Sequence, residues 1–160
     1  MKKVIISILI ITSSVLIAQS LFSHCEVPCG IYNDKMRCDM IEEHITTIEK
    51  AMTMIVKISN EDTINYNQLV RWINNKEKHA TEIQHIVSQY FMTQRVKPVT
   101  EQDTEEYKKY IKKLTFLHEM IIYAMKAKQS TELDNVKKLG SLLSKFRNVY
   151  FASESPKHKH

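Results

Sequence analysis

Between Gly30 and Pro156 the chain contains one proline, Pro98, and one glycine, Gly140. These two residue types are the strongest local interrupters of regular structure. Almost all of the intervening sequence is therefore free to run on in long segments. Its apolar residues recur at three- and four-residue spacing and nowhere alternate, which is the period of a helix and not of a strand. A chain punctuated this sparsely is confined to long helices packed on one another.

Four such segments can be read. Asn33 and Asp34 are good N-cap residues, and Met36, Met40, Ile41, His44, Ile45, Ile48, Met52, Ile55 and Ile58 mark one face of a first helix. After the turn at Ser59-Asn60-Glu61-Asp62, a second helix aligns Leu69, Trp72, Ile73, Lys76, His79, Ala80, Ile83, Ile86, Val87 and Tyr90. Lys97-Pro98-Val99-Thr100 breaks it. Thr104 or Asp103 caps a third helix carrying Tyr107, Tyr110, Ile111, Leu114, Leu117, His118, Ile121, Ile122 and Met125. A fourth carries Leu133, Val136, Leu139, Leu142, Leu143, Phe146, Val149 and Tyr150. Short connections between four helices predict an all-α, up-down-up-down four-helix bundle over residues 35–152, followed by a flexible tail at 153–160. Gly140 costs about 1 kcal/mol of helix propensity relative to Ala and is expected to mark a close helix contact.

Ahead of the bundle, Met1-Lys2-Lys3 and the apolar run from Val4 to about Ala18 have the layout of a secretory signal peptide, and the run is shorter than a membrane-spanning helix needs. Cleavage after Ser23 defines a leader of residues 1–23; Ala18-Gln19-Ser20 offers a second cleavage point, and an uncleaved membrane anchor is the alternative. The expected location is outside the cytoplasm, periplasmic or extracellular, with no stable membrane association once the leader is gone. The net charge of +5 includes Lys2 and Lys3. It marks neither a nucleic-acid patch nor an acidic tail, though mild positive charge helps to draw in a small anion.

The chemistry is concentrated in His24-Cys25-Glu26-Val27-Pro28-Cys29-Gly30-Ile31-Tyr32, which holds two of the three cysteines in the chain. If the leader ends before His24, that residue carries a free α-amine. The amine, the Cys25 amide nitrogen and the Cys25 thiolate then chelate a metal in adjoining rings. After the turn at Pro28, the Cys29 thiolate completes an N₂S₂ plane, and the His24 imidazole reaches an axial position. Such a plane suits Ni(II) or Cu(II) and not tetrahedral zinc. Gly30 allows the backbone to return closely, because it has no Cβ to strain.

At these positions the sequence resembles the nickel superoxide dismutases, whose mature N-terminal hook reads H-C-x-x-P-C-G-x-Y. The stretch from Arg71-Trp72-Ile73-Asn74-Asn75-Lys76-Glu77 to Ile86-Val87-Ser88-Gln89-Tyr90-Phe91 is also similar to that family. The resemblance implies a hook over residues 24–34 with His24, Cys25 and Cys29 as ligands of one nickel ion per subunit. The implied activity is conversion of superoxide to dioxygen and hydrogen peroxide, with nickel cycling between divalent and trivalent states. It implies that Tyr32 gates access to the metal, that Tyr90 is a second active-site tyrosine hydrogen-bonded near the first, and that the bundles form a homohexamer. Glu26 stands where many members have Asp.

The remaining residues carry less. His44, His79, His85 and His118 read as core-edge or surface histidines, Cys38 as a small buried hydrophobe, and no Ser/His/Asp signature, phosphate-binding glycine loop or zinc cysteine pattern is present. The competing reading is a non-enzymatic exported bundle. In it, Cys25 and Cys29 form a structural disulfide, or the N-terminus merely carries a metal.

Overall fold

The computed structural model describes residues 30–152. The expected leader 1–23, the expected ligands His24, Cys25 and Cys29, and the expected tail 153–160 lie outside the described residues. The chain divides into two compact units, Met1–Ile31 and Tyr32–His160. Of the first, Gly30 adopts φ +77°, the left-handed region that a residue without Cβ enters freely.

The second unit is four long helices: α1 (Asp34–Ser59), α2 (Tyr66–His85), α3 (Glu105–Gln129) and α4 (Leu133–Ala152). α2 continues without a break into a π-helical segment, Ile86–Arg95. α1 packs on α2 and α4, and α3 packs on the same two helices. This is the ring of neighbours expected when short loops join successive antiparallel helices.

Local chemistry starts each helix. Asn33 accepts a hydrogen bond from the Met36 amide at 3.0 Å, and Asn65 one from Gln68 at 3.1 Å. Thr104, not Asp103, caps α3, accepting from the Tyr107 amide at 3.1 Å. Asp103 takes φ +65° in the preceding turn, a conformation that Asp tolerates better than most side chains. Glu105 and Glu106 in the first turn of α3, with Lys126 and Lys128 in the last, complement its dipole.

The core runs along the bundle axis and contains Ile41, Ile48, Met52, Ile83, Val87, Phe91, Leu117, Met120, Leu139, Leu142 and Phe146, all at most 1% exposed. Cys38 is fully buried among them. The faces of α1 and α4 follow the sequence spacing except at Met36 and Leu133, which are exposed. α3 is rotated from expectation. It buries Leu117, Met120, Ala124 and Ala127, and leaves Ile111, His118 and Met125 exposed. Gly140 makes no close contact, since a Cβ built there meets nothing within 4 Å.

Lys76 lies on the buried face of α2 and is 5% exposed. Its ammonium donates to the Lys128 and Ser130 carbonyl oxygens, the latter at 3.1 Å. The C-terminal carbonyls of α3, which have no partner within their own helix, are thus capped by a charge from α2. Ser130 Oγ in turn accepts from Asn135 Nδ2 at 3.0 Å, so this one turn joins three helices.

Candidate functional site

Tyr32 is 40% exposed and immediately precedes the Asn33 cap of α1. Two side chains meet its ring. The Arg95 guanidinium lies over it, 4.4 Å from the centroid. The Tyr90 ring approaches edge to face, with centroids 5.9 Å apart and planes inclined at 70°. Both are favourable geometries for an aromatic face. Among the described residues no hydrogen bond reaches the Tyr32 hydroxyl.

Tyr90 and Arg95 both come from the π-helical segment. Its hydrogen bonds step five residues instead of four, as in the backbone bond from Val96 N to Phe91 O at 2.8 Å. The wider turn lets the adjacent residues Tyr90 and Phe91 both face inward, at 3% and 0% exposure. Phe91 packs on Phe146 and Tyr150 of α4, with centroids 5.0 and 5.6 Å away. Arg37 of α1 lies over the Tyr90 ring at 5.1 Å.

The polar centre of this end of the bundle is Asp34, the first residue of α1. Its side chain is only 8% exposed. The carboxylate accepts from the Tyr90 hydroxyl at 2.5 Å, from the Tyr150 hydroxyl at 2.7 Å, and from Arg95 Nε and Nη2 at 2.8 and 2.6 Å. Burial alone would push its pKa up, but the hydrogen bonds from Arg95, Tyr90 and Tyr150 outweigh burial and hold it below the ordinary value. Burial and then the Asp34 carboxylate push Tyr90 and Tyr150 upward, so both phenols stay protonated. Arg95 is held charged chiefly by its bond to Asp34.

Asp34 was legible only as a capping type, and Arg95 and Tyr150 gave no functional signal. The two tyrosines singled out by resemblance do meet, but ring to ring: the Tyr90 hydroxyl goes to Asp34. Arg95 also walls a cavity of about 340 Å³ that includes Lys97, Lys109, Lys113, Tyr110 and Glu106. Four cations against one carboxylate give it a positive field.

Elsewhere, His44 and His79 meet across α1 and α2 with their Nδ1 atoms 2.8 Å apart, while His85 and His118 are exposed. Among the described residues no group of three or more His, Cys, Asp or Glu side chains could hold a metal ion. The Cys38 thiol is pushed up to about 11 by burial, which keeps it protonated and unfit as a thiolate ligand.

The sequence model of the nickel-containing superoxide dismutase family matches residues 19–154, most of the chain and all of the hook motif. The chain belongs to that family. Comparisons with curated proteins and with solved structures returned no match. As a nickel superoxide dismutase it takes nickel as its cofactor and superoxide as its substrate. Nothing observed supports a non-enzymatic bundle.

Proposed function

We propose that His24, Cys25 and Cys29 hold the nickel of this dismutase after removal of a leader before His24, and that Tyr32 controls what approaches the metal. The observation that carries the reading is the complete H-C-x-x-P-C-G-x-Y motif within the matched region. Three features agree with it. Gly30 has the left-handed backbone for which a glycine is needed, Cys38 is chemically unsuited to compete for the metal, and Tyr32 presents a half-exposed phenol beneath the Arg95 guanidinium.

Nickel, when bound, supplies the one-electron exchange with superoxide. The chain contributes charge and shape. The hydroxyl of Tyr32 orders water and a small anion and excludes larger ones, while Tyr90, whose proton is committed to Asp34, supports the ring of Tyr32. No described helix is long and apolar enough to cross a membrane. Export to the periplasm or the extracellular space is the reading we place on residues 1–23.

We also propose a homohexamer. Tyr66, Val70 and Ile73 fall at helical spacing on one stripe of α2 and are 69, 52 and 37% exposed, an apolar face suited to a second copy. Native mass spectrometry of the wild type and of Val70→Lys tests it, with a monomeric wild type as the refuting result.

The experiment for the metal site combines intact-mass analysis of the native protein with nickel content and dismutase activity. The expected chain begins at His24, binds one nickel ion, and loses both metal and activity when extra residues or an acetyl group block the amine. Full activity from a blocked chain refutes the ligand assignment.

A further inference from the structure

We infer that Asp34 is a positioning residue for the dismutase reaction: through Arg95 and Tyr90 it fixes the ring of Tyr32. This deepens the gate reading above and rests on it. Both side chains in contact with the Tyr32 ring end on the same carboxylate. Arg95 forks onto Asp34 through Nε and Nη2 while its face covers Tyr32 at 4.4 Å. Tyr90 donates its hydroxyl to Asp34 while the edge-to-face contact reaches Tyr32. A guanidinium anchored at two nitrogens keeps a defined plane, so the surface offered to Tyr32 is set by the carboxylate beneath it. Tyr150 fixes that carboxylate from α4.

The arrangement also divides labour between the phenols. Tyr90 and Tyr150 each spend their one donor on Asp34, so neither has a proton to offer another acceptor. Among the described residues only Tyr32 of these three has a hydroxyl without such a commitment. A carboxylate serving merely to close the bundle would need Tyr150 and Arg95, but would not need Arg95 stacked on an exposed ring.

The test uses the nickel-loaded protein and the variants Asp34→Asn, Arg95→Lys and Tyr32→Phe, with both double variants that include Tyr32→Phe. Asparagine keeps the shape of the carboxylate without its charge. Lysine keeps the charge without the fork or the planar face. The readout independent of activity is the ring resonance of Tyr32 in protein carrying ¹³C-labelled tyrosine, assigned by its absence in Tyr32→Phe. The kinetic readout is inhibition by azide.

Asp34→Asn and Arg95→Lys are expected to move the Tyr32 resonance and to change azide inhibition in the same direction as Tyr32→Phe. In the double variants the combined effect should fall short of the product of the single effects by about two-fold or more, the mark of residues acting through one another. A Tyr32 resonance unmoved by Arg95→Lys overturns the proposal, as do fully independent effects on inhibition. If Asp34→Asn does not fold, Arg95→Lys decides alone. If Tyr32→Phe leaves azide inhibition and rate unchanged, it is the gate reading that fails; the positioning of the ring is then judged by the resonance.

Discussion

Lys76→Met tests whether the junction of α2, α3 and α4 depends on a buried charge. Methionine has nearly the same length and no donor, so packing is conserved while the ammonium disappears. Two carbonyl oxygens, of Lys128 and Ser130, lose their hydrogen bonds. Hydrogen bonds from a charged donor are worth roughly 1.5–3 kcal/mol each, so the gross loss is about 3–6 kcal/mol. Against this, the variant no longer holds an ammonium at 5% exposure, and relief of that desolvation returns a part of the loss. The neighbouring Glu77 carboxylate lies at 3.4 Å but is 42% exposed, and such a partner contributes at most about 1 kcal/mol. A net destabilisation of roughly 2–4 kcal/mol is expected. Urea unfolding of the wild type, Lys76→Met and Glu77→Gln measures it, with hydrogen exchange at the end of α3 showing where protection is lost. A Lys76→Met midpoint within about 0.5 kcal/mol of wild type, the range of an ordinary surface change, would refute the capping argument.

Gly140→Ala should stabilise the protein by up to about 1 kcal/mol in thermal unfolding, because α4 gains helix propensity and the new methyl meets nothing within 4 Å. His44 and His79 make stability depend on pH. Burial lowers both pKa values, with His79 adding to the effect on His44 and Lys78 on both, against the opposing pull of Glu82 on both and Glu43 on His44. A folded-state pKa below the unfolded value of about 6.5 means that the unfolded chain takes up protons first. The contribution is complete above that pH and is lost as pH falls below it. A urea midpoint that drops between pH 8 and pH 5.5 in the wild type, but less in His44→Gln, is the expected outcome. Cys25→Ser and Cys29→Ser should each abolish nickel binding and activity, whereas Cys38→Ala should keep both at a modest cost in stability; a nickel-free Cys38→Ala would require a different ligand set.

The helices were legible because Pro and Gly are so scarce and because Ile41, Ile45, Ile48, Leu139, Leu142 and Phe146 keep strict helical spacing. The rotation of α3 was not. Its sequence is apolar around a wide arc that includes Ile111, Leu114, Phe116, Leu117, Met120, Ile121 and Ile122, so periodicity alone selects no side. The choice is made by Ala124 and Ala127, whose small side chains permit close packing. Phe91 was missed because the three- and four-residue spacing read along this helix ends at Tyr90; the π-helical segment shifts the register there, and Phe91 is buried as well. The hook motif was legible because all its fixed residues fall within the nine positions from His24 to Tyr32. The carboxylate beside Tyr32 was not, since Asp34 reaches partners 56, 61 and 116 residues away, and nothing near Asn33-Asp34 announces them.

That last separation has a consequence for biosynthesis. Asp34 is made 116 residues before Tyr150. Until α4 has been made the carboxylate lacks its Tyr150 donor, and the surroundings of Tyr32 stay incomplete. A nonsense codon between Asp34 and Tyr150 would leave the hook motif intact but strip a hydrogen-bond donor from Asp34. Pulsed hydrogen exchange on chains stopped before and after Tyr150 would reveal whether completion of α4 is reported at Asp34, two residues from Tyr32.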